Sequence, residues 1–190
     1  MLRPIFIGMI VLLFTLLVGC DLFASRTPAD PISEGGTFVQ PDAPDLVVDN
    51  LQAAIAELNT ANYRRSLAED LAFQPTATAE ASDPSLWGGW SKTEEVSAFT
   101  TIAEAARLSN GHLLRLEDQS IEVGDTRYTL DATYVLVVRH SRADVPDTLQ
   151  GRLIWEIAQG NDGLWSLQRW TDRELGNSPS WSDLKAGFAK

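Results

Sequence analysis

The hydrophobic pattern begins with an unbroken apolar run at residues 5–19, which follows Arg3 and stops at Cys20. A helix needs about 20 apolar residues to cross a hydrocarbon core of about 30 Å, and this run has 15. The run is therefore short for a permanent membrane span and typical of the apolar part of a signal peptide. An uncleaved signal anchor is the alternative interpretation.

The end of this run carries a short motif, formed by Leu17, Val18, Gly19 and Cys20. The motif resembles a bacterial lipobox, which implies removal of residues 1–19 and acylation of Cys20, for example by palmitate. Cys20 is the chain's one cysteine, so it cannot form an internal disulfide. Two acyl chains are enough for firm attachment to a membrane. We therefore expect a lipoprotein of the bacterial cell envelope, outside the cytoplasm, on either the inner or the outer membrane.

Three regions follow from this pattern: a signal peptide at residues 1–19, an acylated cysteine with a flexible linker at 20–44, and a domain at 45–190. The linker is rich in Pro, Gly, Ser, Thr, Asp and Ala and has no hydrophobic period. Helical spacing of Val47, Leu51, Ala54, Ile55 and Leu58 predicts the first helix of the domain.

Two further helices are predicted before the pattern changes. The second begins after Thr60, carries Tyr63, Leu67 and Leu71, and ends before a proline at position 75. A short extended piece is expected at residues 71–76 and a loop at 76–84. The third helix begins at a capping box formed by Ser91 and Glu94, and ends at the left-handed stop of residues 110–111.

After residue 111 the hydrophobic period becomes two, which predicts four strands at residues 112–123, 126–139, 149–158 and 164–172. Turn residues between them favour consecutive hairpins and an antiparallel sheet. In the second strand the side chains expected to face the helices are Tyr128, Leu130, Ala132, Tyr134, Leu136 and Val138. Pro179 is expected at the first position of a C-terminal helix that buries Trp181, Leu184 and Phe188.

The net charge of −11 makes a nucleic-acid partner improbable, because phosphate repels such a surface. His112 and His140 do not have the spacing of metal ligands. The charged residues of the strands mostly alternate with the inward side chains, so we expect them on the solvent-facing side of the sheet. The side chains of the second strand that are expected to face the helices include no ionisable group except tyrosine. We therefore predict no catalytic residue, no metal and no cofactor.

The order of elements resembles the cystatin-like, cone-shaped domains of the nuclear transport factor 2-like (NTF2-like) superfamily. The closing pattern of Trp165, Leu167, Trp170 and Asp172, followed by residues 181–188, resembles the tail of uncharacterised envelope lipoproteins with that fold. The resemblance implies an α+β cone: three helices and a short strand, a curved four-stranded antiparallel sheet, and a short C-terminal helix. Enzymes of the superfamily place an acid or base inside the cone, so the alternative is an isomerase or dehydratase type of enzyme using Asp172 or Glu104.

Aromatic side chains either line an apolar pocket in the cone or fill it, and the set comprises Trp87, Trp90, Tyr128, Tyr134, Trp155 and Trp170. Filling is the first interpretation. The sequence thus predicts a membrane-anchored, non-catalytic module that binds an envelope protein or an apolar ligand. Val135 and Val137 would leave a small apolar strip for a homodimer on the outer face of the sheet.

Overall fold

The computed structural model describes residues 35–189, which form six helices and five strands. In chain order these are α1 Pro44–Ala56, α2 Thr60–Arg65, β1 Leu67–Gln74, α3 Ala77–Ser82, α4 Pro84–Trp87, α5 Lys92–Ala106, β2 Leu113–Val123, β3 Arg127–Val137, β4 Thr148–Gln159, β5 Trp165–Glu174 and α6 Trp181–Phe188. The predicted lipobox with Cys20 lies outside the described residues.

The five strands form one mixed sheet in the order β1-β5-β4-β3-β2. Strands β2 to β5 pair antiparallel, as the hairpin signals predict, while β1 pairs parallel to β5. The predicted parity of β3 is confirmed, since alternate side chains from Tyr128 to Val138 are all buried. Burial alternates along β4 in the same way, from Leu149 to Ile157. One face of the sheet therefore packs into the core and the other meets solvent.

The helices cover the buried face of the sheet. Helix α1 buries four residues of its predicted stripe, but Leu58 lies beyond the helix end with a φ of +53°. Helix α5 begins at the predicted capping box, in which Ser91 and Glu94 each bond the other's backbone. Helix α5 ends at Ala106, several residues before Gly111, whose φ is +80°. The left-handed glycine therefore turns the chain into β2 and does not itself end the helix.

The second helix is much shorter than predicted. It ends at Arg65, and Leu67 and Leu71 belong to β1. A spacing of four residues puts two side chains on the same face of a helix and also on the same face of a strand, so the pattern suits both. Pairing decides the outcome here, since Leu67 lies opposite Leu167 of β5.

Two other local predictions are wrong. The expected loop at residues 76–84 contains α3 and leads into α4, because Thr76 and Asp83 cap these short helices by accepting bonds from Ala79 and Leu86. At the other end of the chain, Ser180 is the N-cap of α6, so the preceding proline lies outside the helix.

The end of the predicted linker is attached to the domain. The side-chain amide of Asn50 accepts from the Val39 backbone N–H at 2.8 Å and donates to its carbonyl at 2.7 Å. The Trp165 N–H donates to the Pro41 carbonyl at 2.8 Å. These bonds attach residues 39 and 41, which lie in the predicted linker, to the domain. Within residues 35–189, none of the helices has both the length and the apolar character needed to span a membrane.

Candidate functional site

The six aromatic side chains predicted to line or fill the cone are all buried. Trp155 and Trp170 meet edge to face with ring centroids 5.6 Å apart, and Trp170 meets Trp181 of α6 at 4.4 Å. Phe73 of β1 adds an edge contact with Trp170 at 5.4 Å. Rings at these separations are in packing contact. The concave side of the sheet is therefore occupied by the chain's own aromatic groups in this region.

A buried ion pair lies among these rings. Lys185 of α6 places its Nζ 2.9 Å from Glu95 Oε2 of α5, and both side chains are at most 2% exposed. The ammonium also lies 3.4 Å from the ring centroid of Phe73 and 3.5 Å from that of Trp170. No side chain among the described residues gives this ammonium a well-aligned hydrogen bond, so the contact with Glu95 is an ion pair rather than a directed bond.

Glu95 is held by two further groups. Its Oε1 accepts from the Tyr63 hydroxyl at 2.6 Å, and its Oε2 accepts from the Trp90 indole N–H at 2.8 Å. Burial lowers the pKa of Lys185 to about 8, although the charge of Glu95 acts in the opposite direction. Burial, together with the charge of Glu95, raises the pKa of Tyr63 well above its ordinary value.

A second buried acid, Asp172 of β5, fixes the start of α6. Its Oδ2 accepts from the Ser182 N–H at 2.8 Å and from the Ser182 hydroxyl at 2.6 Å, and its Oδ1 accepts from the Tyr134 hydroxyl at 2.8 Å. That hydroxyl in turn accepts from the Trp181 N–H at 2.7 Å. Burial raises the pKa of Asp172, against the effect of these bonds. Asp172 therefore bonds the backbone where the last strand meets the last helix.

The inward side chains of β3 include no ionisable group except tyrosine, as predicted, but other elements bring two acids and a base into the interior. Glu95, Asp172 and Lys185 are all 1% exposed. Sequence reasoning missed Glu95 and Lys185, although the spacing contained a signal. Glu95 lies four residues before Phe99 in the buried stripe of α5, and Lys185 lies four residues after Trp181 in α6.

The other acid considered for catalysis, Glu104, is exposed and lines an open surface groove of about 610 Å³. It is therefore not inside the cone. His112 is buried and accepts from the Arg139 N–H at 3.3 Å, while the ring of His140 packs on Phe188. Residues 35–189 contain no group of three or more His, Cys, Asp or Glu side chains that could hold a metal ion.

Other grooves indent the described surface. One of about 1140 Å³ lies between the N-terminal segment and β1, and its lining includes Phe38, Arg65 and Trp165. Another, of about 420 Å³, lies beside Trp90 and Phe188. The volume of the smaller groove lies in the range of ligand pockets and that of the larger groove lies above it, and both grooves open widely to solvent.

Charged side chains on the outer face of the sheet pair across strands. Arg152 lies 2.6 Å from Asp131, and Glu156 contacts Arg127 at 2.9 Å and Arg169 at 3.3 Å. These side chains are partly exposed, so each pair contributes little to stability. They form the solvated face expected from the sequence.

No family model and no curated protein matches the chain. Solved structures do match. A candidate scytalone dehydratase from Novosphingobium aromaticivorans has a TM-score of 0.53 at 14% identity, over 68% of this chain and 79% of its own. An NTF2-like protein of unknown function in nutrient uptake from Rhodospirillum rubrum has a TM-score of 0.52 at 14% identity, over 70% and 98%. The chain has a nuclear transport factor 2-like fold.

A third match is a candidate calcium/calmodulin-dependent kinase II association domain from Exiguobacterium sibiricum, with a TM-score of 0.53 at 12% identity, over 70% of this chain and 92% of its own. At such identities the likeness concerns the fold alone. The predicted cystatin-like, NTF2-like architecture is confirmed at that level, with a fifth strand joined in parallel and additional short helices. In this NTF2-like domain, α6 packs Trp181 and Lys185 against the rings of the interior.

Proposed function

We propose that this protein is an envelope lipoprotein, anchored through acyl chains on Cys20, whose NTF2-like domain is a non-catalytic protein-interaction module. The observation that carries the non-catalytic part is the occupied interior. Rings of β1, β4, β5 and α6 pack on one another, and each buried acid bonds groups of the same chain. The lipobox-like motif that ends at Cys20 supports the anchor.

Acid and base catalysis needs a group within hydrogen-bond reach of the substrate. The carboxylate oxygens of Asp172 accept from Tyr134 and from both donors of Ser182. Those of Glu95 accept from Tyr63 and Trp90, and one also contacts Lys185. A substrate would therefore have to displace these donors, which argues against proton transfer at either acid.

The same packing favours protein binding over apolar-ligand binding. A ligand pocket needs a space that the ligand can fill, and the rings around Trp170 fill the space beside it with edge contacts at 4.4 to 5.6 Å. The partner's contacts would then lie on the outside of the domain.

Amine acylation tests whether the interior stays closed. The lipid-anchored chain in neutral detergent is treated briefly with acetic anhydride at pH 8, and modification is located by mass spectrometry. We expect Lys92, whose side chain is 15% exposed, to be modified long before Lys185, whose side chain is 2% exposed. Both should react alike in denaturant. Equal rates in the native protein would show that α6 opens, and would count against an occupied interior.

Detergent partition tests the anchor. Acylated protein should enter the detergent-rich phase of a clouding detergent, and Cys20→Ser should keep the mature domain out of it. Ser25→Ala, in the predicted linker, is the matched control and should partition like the wild type. The mature N-terminal peptide of the wild type should carry the mass of its acyl chains. An unmodified cysteine there would contradict the proposal.

An enzyme that uses Asp172 is a second candidate. Burial raises the pKa of this acid, it contacts a tyrosine hydroxyl, and one structure of the same fold is a candidate scytalone dehydratase. Raised carboxyl pKa values are common at catalytic sites. This hypothesis requires α6 to leave the cone during turnover, so rapid acylation of Lys185 would favour it.

A further inference from the structure

Among residues 35–189, strand β2 leaves one edge of the sheet uncovered along its second half. It is the last strand in the sheet order, and every residue from Glu117 to Val123 is exposed. Two of these side chains are apolar, with Ile121 48% exposed and Val123 75% exposed. An uncovered sheet edge with apolar side chains is a template for pairing with another strand.

The backbone N–H and C=O groups of Ile121 and Val123 are also directed towards the open edge. The Gly124 N–H donates to the Arg127 carbonyl at 2.7 Å, and in that register Val123 lies opposite Tyr128. Antiparallel pairs alternate between bonded and non-bonded positions. Glu122 therefore bonds to β3, whereas the N–H and C=O groups of Ile121 and Val123 face away from β3, towards the open edge.

The two faces of this edge differ in charge. Ile121 and Val123 share the face of their partners Leu130 and Tyr128, which is the helix side of the sheet. Glu117, Asp118 and Glu122 lie on the outer side, where a bulge follows Glu117 and Asp118 contacts Thr133. Arg115 pairs with Glu117 at 2.7 Å, but both side chains are about half exposed, so that pair is weak.

We propose that the edge formed by residues 117–123 binds an extended segment of another protein, in which apolar and basic residues alternate. The segment would add a strand beside β2, with its apolar side chains on the helix side and its lysines or arginines beside the acids of the outer side. This inference rests on the proposed interaction function and names the surface and the chemistry of the partner.

Charge argues against two other occupants. A second copy of β2 would bring the acids of one edge against the same acids of the other, and like charges directly opposite destabilise a strand pair. The chain's own segment at residues 21–34 carries Asp21, Asp30 and Glu34 but a single base, Arg26. A second copy of β2 and the segment at residues 21–34 are both acidic, whereas the acids of the β2 edge favour a basic partner.

The test uses two synthetic ten-residue peptides, one alternating lysine with valine and the other alternating glutamate with valine. Each carries a fluorophore and is titrated with the lipid-anchored chain in neutral detergent, with binding followed by anisotropy at low salt and at 0.15 M salt. We expect the lysine peptide to bind at least tenfold more tightly. The double variant Glu117→Lys with Glu122→Lys should reverse the preference.

Backbone and side-chain variants separate strand addition from simple charge attraction. Ile121→Pro removes an N–H that β3 does not use, so the sheet should form while lysine-peptide binding falls at least tenfold. Val123→Lys should also weaken lysine-peptide binding tenfold. This variant replaces Ile121→Pro in the test if the proline variant does not fold. Leu108→Lys changes another exposed apolar side chain, 89% exposed and outside β2, and is the matched control that should bind normally.

Equal binding of the two peptides, or normal binding by both Ile121→Pro and Val123→Lys, would overturn the proposal. Self-association in sedimentation that Ile121→Pro abolishes would mean that a second copy occupies the edge, and would also overturn it. None of these outcomes depends on the acylation rate of Lys185, so a closed interior can be established even where the edge proposal fails.

Discussion

Removing the charge of Glu95 tests the interior directly. Glu95→Gln keeps the shape of the side chain, and its amide can donate to the Tyr63 hydroxyl while its oxygen accepts from Trp90. Lys185 alone loses its counter-charge. Breaking a buried pair in this way costs about 3 to 5 kcal/mol, because an uncompensated charge stays in the interior.

The unfolding free energy that Glu95→Gln loses depends on pH in a predictable way. The folded variant can avoid the buried charge by releasing the proton of Lys185, whose ordinary pKa is 10.5. At about 1.36 kcal/mol per pH unit this release costs about 5 kcal/mol at pH 7 and about 2 kcal/mol at pH 9. The variant should therefore gain about 3 kcal/mol of unfolding free energy between these two pH values.

The wild type should gain less over the same interval. In the folded wild type the pKa of Lys185 is about 8, below its ordinary value of 10.5. Between these two pH values the unfolded chain therefore binds more protons than the folded chain. The contribution of Lys185 to the unfolding free energy is fully present above pH 10.5 and is lost as the pH falls through 8. Between pH 7 and pH 9 the wild type should gain about 1 kcal/mol.

Urea unfolding followed by tryptophan fluorescence at both pH values measures these differences. Glu69→Gln is the matched control, because it breaks the ion pair with Lys92 at a position where the acid is 93% exposed, and it should leave the unfolding free energy close to the wild-type value at both pH values. Parallel pH dependence of the wild type and Glu95→Gln would refute the buried-charge argument.

Other variants test how α6 is held against the sheet. Gly151→Ala should cost about 1 to 3 kcal/mol, because a Cβ there would lie 2.6 Å from Tyr134 Cζ, whereas Gly89→Ala, with nothing within 4 Å of its Cβ, should cost little. Tyr134→Phe should cost about 1 to 3 kcal/mol, because it leaves the buried Trp181 N–H without its acceptor. Ser180→Ala removes the N-cap of α6 and should cost about 1 kcal/mol. Urea midpoints that stay at the wild-type value would contradict these roles.

Long periodic segments could be predicted from the sequence with good accuracy. Strand β3 carries a strict period of two over its whole length, and its pairing partners β2 and β4 are its neighbours in the chain. Strand β1 could not be predicted in the same way. Its partner β5 lies about 100 residues later, as the pairing of Leu67 with Leu167 shows, and the four-residue spacing of its leucines suits a helix equally well.

The buried charges could not be predicted from one strand alone. The pattern of β3 predicts no inward acid on that strand, and none is found there, but the interior also receives side chains from α5, β5 and α6. Asp172 has the parity of the buried Trp170 near the end of β5, so a period of two places it on the inward face. Glu95 and Lys185 become partners only once α5 and α6 pack together.

Stability alone does not explain why the interior keeps an ion pair. Apolar residues of similar volume often replace such pairs at no cost, and sometimes with a gain. A pair can instead fix the register of a packed element. Lys185 contacts Glu95 and lies over the rings of Phe73 and Trp170, so a shift of α6 by one residue would carry the ammonium away from these groups. Asp172 fixes the same helix at its start through Ser182. A helix held at these two points keeps the interior filled, which supports the proposal that the domain binds its partner through its outer surface and edges.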